Sequence, residues 1–240
     1  MILNVDQVQV SYAKKRVIHG VSLKVMPEQI VALIGHNGAG KTTLLKAILG
    51  LLKLDAGRVI FQGMDITNRA PHLNVRAGIA YCPQGGRVFG SLTVTENLEV
   101  AASNRGPNSS SARYKLETVF DLFPALYGRR NYKAGVLSGG ERQMLAIGMS
   151  LMLSPKIFLI DEPSGGLAPR YVDRVFQSIR TISKEFNTPI LLVEQNFKDA
   201  MDVAHAVCVM RNGRLVFEGD PDQAREVMGE KFFGFRISDQ

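Results

Sequence analysis

Residues 35–43, Gly-His-Asn-Gly-Ala-Gly-Lys-Thr-Thr, carry the first chemistry legible in the chain. They fit the pattern G-x-x-x-x-G-K-[ST], in which backbone N–H groups cradle a chain of phosphates. Gly35, Gly38 and Gly40 permit turns closed to other residues, so those N–H groups can approach phosphate oxygens. Lys41 is spaced to reach the terminal phosphates, and the Thr42 hydroxyl to bind magnesium. His36, Asn37, Ala39 and Thr43 complete the nucleotide-binding stretch. Farther along, Asp161 and Glu162 end the apolar run Ile157-Phe158-Leu159-Ile160. Carboxylates at the end of a buried strand are costly unless something pairs with them, and a hydrated magnesium near Asp161 supplies a partner. Ser138-Gly139-Gly140-Glu141 reads two ways at once. Ser138 and Glu141 have the spacing of a helix capping box. Two adjacent glycines in a first turn are poor helix material, at ~1 kcal/mol each against Ala. They make sense where backbone N–H groups face a bulky anion.

The elements around these residues must bring them together. The run 30–34 is short, apolar and rich in β-branched residues, as a buried parallel strand should be. Residues 44–52 are apolar with good helix formers, so a helix starting near Lys41 points its positive end at the bound anion. Further buried strands are expected at 78–82, 157–160 and 189–193. The first ends at Pro83-Gln84-Gly85-Gly86, and the last at Glu194-Gln195-Asn196, where Asn196 suits a helix cap. In open α/β sheets, ligands bind at such carboxyl ends. Alternating stretches at 2–10 and 17–25 read as an antiparallel hairpin with Tyr12 at its tip, and 58–61 as another strand. Helices are expected at 93–98, 112–123, 139–153 and 172–186, the last burying Val172, Val175, Phe176, Ile179, Ile182 and Phe186. Residues 103–111, Ser- and Asn-rich, read as a flexible loop. Asn212-Gly213 signals a type I′ hairpin, and the apolar Phe232-Phe233-Gly234-Phe235 a tail docked on the body or on a partner.

With 240 residues, 45% of them apolar, the chain is long enough for a sizeable core, in one large domain or a domain with a lobe. No apolar run approaches the ~18–20 residues of a membrane span. The first residues lack a signal peptide's basic start and apolar core, so a cytoplasmic location is expected. The net charge of +7 suits anionic ligands but selects none of them. Aromatic and basic residues do not interleave as in single-strand binders, so no nucleic-acid partner is expected. Cys82 and Cys208 form no C-x-x-C pair and read as buried, reduced thiols; His19, His36, His72 and His205 lack metal-ligand spacing.

The phosphate loop, then Leu137-Ser138-Gly139-Gly140-Glu141, then Asp161-Glu162 on a strand resembles an ATP-binding cassette (ABC) ATPase over essentially the whole chain. Ser-Gly-Gly-Glu is the signature that separates this class from other P-loop proteins. The resemblance implies an α/β P-loop fold in a single nucleotide-binding domain over 1–240. It would have a mostly parallel core sheet, an N-terminal antiparallel β subdomain, and a helical signature subdomain at about 85–155. It implies ATP and Mg2+ as cofactors. Tyr12 would stack on adenine; Gln84 would touch magnesium and sense a membrane partner. Asp161 would help hold the metal and Glu162 would polarise the attacking water as general base. Gln195 falls where most of the class has a His that contacts the γ-phosphate. Ser138, Gly139 and Gly140 of a second subunit would cap that phosphate, so ATP glues two ATPase chains together.

A closer resemblance is to the ATPases of branched-chain, or hydrophobic, amino-acid importers. The supporting stretches are Gly85-Gly86-Arg87-Val88-Phe89, Gln143-Met144-Leu145-Ala146-Ile147-Gly148, Gly166-Leu167-Ala168-Pro169 and Val193-Glu194-Gln195-Asn196. Gln195 matches one of the two paired ATPases of such importers, which implies a heterodimer, with a homodimer as the alternative. The other implied partners are transmembrane permease subunits and, through them, a substrate-binding protein. The implied place is peripheral, on the cytoplasmic face of the inner membrane. Alternatives are import of another small solute such as urea or amides, export, or a soluble ABC ATPase acting on DNA or ribosomes. A small-molecule kinase sharing the P-loop would leave residues 138–141 unexplained.

Overall fold

The computed structural model of the chain describes residues 1–12, 15–103 and 109–233, with side chains described except at 109–115 and 228–233. Strands β1 (Leu3–Tyr12) and β2 (Lys15–Val25) form the expected antiparallel hairpin, whose tip residues Ala13 and Lys14 lie outside the described set. Then come β3 (Ile30–Ile34), α1 (Lys41–Leu49), β4 (Ala56–Phe61), β5 (Met64–Asp65), α2 (Pro71–Ala77) and β6 (Ile79–Cys82). A helical stretch follows: α3 (Val94–Ser103), α4 (Ser109–Leu122), α5 (Pro124–Tyr127), a 3₁₀ turn at Ala134–Val136, and α6 (Gly139–Leu151). The chain closes with β7 (Ile157–Asp161), α7 (Pro169–Glu185), β8 (Ile190–Glu194), α8 (Phe197–Met201), β9 (Ala206–Arg211), β10 (Arg214–Gly219) and α9 (Pro221–Phe233).

The strands build two sheets, an antiparallel β2-β1-β4-β5 and a six-stranded β10-β9-β3-β8-β7-β6. In the second sheet β9, β3, β8, β7 and β6 are parallel, and β10 alone runs antiparallel. Every residue of β3, β7 and β8 is buried, which is why these strands read as unbroken apolar runs rather than alternations. Both sheets share a core: Leu3, Val5, Leu23 and Val59 of the first pack with Leu33, Leu159 and Val193 of the second, and with Leu44 and Ile48 of α1. On the opposite face of the parallel sheet, Phe158, Ile160 and Leu192 pack with Leu98 of α3, Val119 of α4 and Leu145 of α6.

Local signals held where the chemistry is local. Asn212 and Gly213 have φ of 47° and 74°, both positive as a type I′ turn between β9 and β10 demands. Asn196 caps α8 by accepting a hydrogen bond from the Lys198 N–H. Elsewhere the structure corrects the reading. Ser109, Ser110 and Ser111 belong to α4 rather than to a loop, and 104–108 lie outside the described residues, as do Gly234 and Phe235 of the apolar tail. Phe186 is not core: it follows the last turn of α7 and is exposed, because the helical period that buries Ile182 ends there.

Cys82 and Cys208 are buried and unbridged, as expected. Burial raises both thiols to about 12. At pH 8 the thiolate fraction is then on the order of 1 in 10⁴, and the thiolate is the nucleophile. Iodoacetamide at pH 8 is therefore expected to leave both cysteines unmodified in the folded protein and to alkylate both in denaturant, read by intact mass.

Candidate functional site

Strand order assembles the site. β3, β8, β7 and β6 are consecutive and parallel, so their carboxyl ends lie on one edge, with neighbours about 4.8 Å apart. The segments leaving that edge carry, in order, the phosphate loop, Gln195, the Asp161–Glu162 pair and Gln84. Residues far apart in sequence become adjacent because each follows a buried strand.

Gly40 precedes α1 with φ 105°, a conformation open to glycine but strained for other residues. It offers no side-chain cap, and the first turn holds no acid, so the opening N–H groups of α1 are left for an outside anion. Lys41 is 4% exposed. Its ammonium donates to the Gly35 carbonyl at 2.7 Å and the His36 carbonyl at 3.2 Å, and pairs with Glu162 Oε1 at 3.0 Å. Gln84 Nε2 donates to Glu162 Oε2 at 2.9 Å. Three of the sequence-predicted groups, Lys41, Glu162 and Gln84, therefore meet beside the loop carbonyls. Glu162 adopts φ 45°, uncommon for a residue with a side chain, and such strain costs on the order of 1–3 kcal/mol.

Thr42 Oγ1 donates to Asp161 Oδ1 at 2.9 Å, which joins the two groups expected at a metal. The second Asp161 oxygen accepts from the Tyr81 hydroxyl at 3.1 Å, a contact that sequence reasoning missed. Burial and the neighbouring Glu162 push the Asp161 carboxyl up, while the Thr42 and Tyr81 hydroxyls and Lys41 pull it down. Tyr81 is itself raised, first by burial and then by Asp161. A hydroxyl and a carboxylate beside an excess of negative charge form a hard-oxygen donor set of the kind Mg2+ takes.

The Ser138 segment stands apart. α6, which it opens, packs on α3, α5, α7 and β6, whereas α1 packs on β1, β2, α2 and β7. The capping box is complete: the Glu141 N–H donates to Ser138 Oγ at 3.3 Å, and the Ser138 N–H to Glu141 Oε2 at 2.8 Å. Gly140 has a packing reason of its own. A Cβ there would lie 2.4 Å from the Tyr171 ring, so this glycine is required whether or not an anion binds. Gly139 has no such crowding, its nearest contact being Leu167 at 3.9 Å, and its N–H remains the better case for an anion.

Tyr12, at the end of β1, is 64% exposed. Gln195 is exposed beyond β8. Reasoning from sequence also passed over Glu194, which is buried at the end of β8 and accepts the Ser164 N–H at 3.0 Å and the Gln195 N–H at 3.0 Å. Its signal was present, an acid ending an apolar strand, the same pattern that drew attention to Asp161. Among the described residues no group of His, Cys, Asp and Glu has the arrangement of a metal cluster, and no helix is long and apolar enough to cross a membrane.

The ABC transporter family model matches residues 18–165, more than half of the chain. The high-affinity branched-chain amino acid transport ATP-binding protein BraG of Pseudomonas aeruginosa is 40% identical over 215 residues, spanning 90% of this chain and 91% of that protein. "Probable branched-chain amino acid transport ATP-binding protein LivF" of Archaeoglobus fulgidus is 35% identical over 231 residues, 96% of each chain. The lipopolysaccharide export system ATP-binding protein LptB of Haemophilus influenzae is 32% identical over 239 residues, covering 96% of this chain and 98% of that one. Among solved structures, the ADP conformation of an ATP-binding cassette of an ABC transporter superposes with a TM-score of 0.84 at 28% identity, covering 99% of each chain.

Proposed function

This chain belongs to the ABC transporter family of ATPases, and from that premise we propose that it powers the import of branched-chain or other hydrophobic amino acids. The observation that carries the cargo is the 35% and 40% identity to two branched-chain amino acid transport ATP-binding proteins over nearly the full chain. The export relative at 32% makes export the second reading.

Hydrolysis of ATP asks for placement, charge neutralisation and an oriented water. The loop amides and Lys41 hold the terminal phosphates. Thr42 and Asp161 fit Mg2+, with Gln84 near, and the metal when bound would neutralise phosphate charge. Glu162, one residue past Asp161, accepts the proton of the attacking water. Tyr12 stacks on adenine, which its exposure at a strand end supports. Gln195 faces the γ-phosphate as a hydrogen-bond donor that cannot change charge near neutral pH. Ser138 and Gly139 cap the phosphate of a second ATPase subunit, and residues 85–155 form the lobe that meets the permease. Exposed Phe89, Val100, Tyr127, Tyr132 and Val136 on that stretch support a docking face. Because Gln195 lacks the charge of a His, we assign this chain to an unequal pair on the cytoplasmic face of the inner membrane, with a second ATPase that carries the His.

The test is purification from membranes followed by reconstitution. The chain is expected to bring down permease subunits and a second ATPase. Proteoliposomes given a binding protein should take up leucine, isoleucine or valine only with ATP. Co-purification with ribosomes, or vesicles that respond to urea, amides or a lipid and not to these amino acids, would overturn the assignment.

A further inference from the structure

Glu194 is 1% exposed, yet its carboxylate has no cation partner among the ion pairs of the described residues. Its two oxygens face in two directions. Oε1 accepts from the Ser164 N–H at 3.0 Å, two residues beyond Glu162. Oε2 accepts from the Gln195 N–H at 3.0 Å. The backbone carbonyl of Glu194 accepts from the Gly35 N–H at 3.4 Å, and the carbonyl of its neighbour Val193 accepts from the Glu162 N–H at 2.9 Å. One residue thus touches the first residue of the phosphate loop, the turn after Glu162, and the segment carrying Gln195. Burial raises this carboxyl, and the N–H groups of Ser164, Gln195 and Asn196, with the Ser164 hydroxyl, act against that rise.

A buried carboxylate without a cation is costly, and a core position at the end of an apolar strand would be satisfied more cheaply by Val or Thr. A hydroxyl can accept one of these N–H groups. Only a carboxylate offers two acceptor oxygens at once to amides on two separate segments. We propose that Glu194 is a positioning residue: its buried carboxylate bridges the Ser164 and Gln195 amides and so fixes Glu162 and Gln195 relative to each other and to the phosphate loop. The proposal rests on Glu162 and Gln195 acting at the γ-phosphate, as set out above.

Glu194→Gln keeps the shape but sets an NH2 group against one of the two donor amides. In the full-length protein, nucleotide affinity is expected to stay within about threefold, while kcat falls on the order of 10- to 100-fold, the scale of a small misplacement of reacting groups. Amide exchange at Ser164 or Gln195 should accelerate at least about tenfold, with the phosphate-loop amides unchanged. Glu194→Asp, which keeps both oxygens, should recover part of kcat. Unchanged kcat with unchanged exchange overturns the proposal, and so does an equal loss of affinity and kcat with faster exchange throughout. Should Glu194→Gln not fold, the wild-type amides decide: slow exchange at both Ser164 and Gln195 supports the bridge, and exchange at free-peptide rates overturns it. A Glu162→Gln variant that turned over normally would refute the hydrolysis reading and leave this exchange result standing, so the two failures are distinguishable.

Discussion

Glu162→Gln is expected to lower ATP turnover by on the order of 10³-fold, within the range a positioned general base contributes, while nucleotide binding is kept. The substitution is nearly isosteric, and the surroundings tolerate it. The Glu162 side chain is held from two sides, by Gln84 at 2.9 Å and by Lys41 at 3.0 Å. The amide oxygen can accept from Lys41, and the new NH2 can donate to Gln84 once the Gln84 amide turns its own oxygen toward it, so both partners are kept. What disappears is the negative charge that, on the function proposed above, takes the proton of the attacking water. The same charge is the counter-ion of Lys41, and a γ-phosphate competes for that ammonium. Removing it should therefore leave affinity equal or tighter and accumulate an ATP-bound dimer. Equilibrium binding of a fluorescent ATP analogue and single-turnover hydrolysis separate these effects. A parallel loss of binding would mean that Glu162 holds the site together rather than acting on water.

The parts legible in the sequence are those whose reason is local. The phosphate loop, the Ser138–Glu141 capping box, the Asn212-Gly213 turn and the buried runs of β3, β7 and β8 each depend on a few consecutive residues, and each stands where the spacing places it. The parts that escaped reading are pairings across the sheet. Tyr81 meets Asp161 only because β6 lies beside β7 in register, Tyr81 opposite Leu159. Glu194 reaches Ser164 only because β8 lies beside β7. Gly140 has a second reason that its neighbours in sequence do not show: the ring of Tyr171 from α7, thirty-one residues on, leaves no room for a Cβ. Ser109, Ser110 and Ser111 misled in the opposite direction: a first turn tolerates weak helix formers, so their presence does not exclude a helix start.

This division also explains why the site sits where it does. A parallel sheet collects the ends of strands from distant parts of the chain on one edge, so a few kinds of residue placed just past buried strands suffice to build a nucleotide site. The order β3-β8-β7-β6 sets Gln195 between the phosphate loop and the Asp161–Glu162 pair, and puts Gln84 at the far end beside the helical stretch that α3 begins. Gln84 thus stands in contact with Glu162 on one side and opens onto the segment leading to α3 on the other.

Lys41→Met should weaken ATP binding by about 10²- to 10³-fold, the outcome expected when one partner of a buried, hydrogen-bonded charge contact is cut away. An ammonium has three donors. Here all three are engaged, with the Gly35 carbonyl, the His36 carbonyl and Glu162. The two carbonyls belong to the loop itself and hold the side chain in place, so the third partner is the one a phosphate exchanges with. On the function proposed above, that exchange would couple binding to catalysis: with the phosphate on the third donor, Glu162 would be released from its ion pair and free to turn to the water. Lys41→Arg should not restore affinity, because a planar guanidinium cannot occupy the small space between two carbonyls that a compact ammonium fills. The coupling is tested with Lys41→Met, Glu162→Gln and the pair together. Methionine at 41 leaves Glu162 without its cation, so adding Glu162→Gln should recover part of the lost affinity, and the double variant should bind more tightly than the sum of the single effects predicts. Strict additivity would mean that the 3.0 Å contact between Lys41 and Glu162 has no bearing on nucleotide binding.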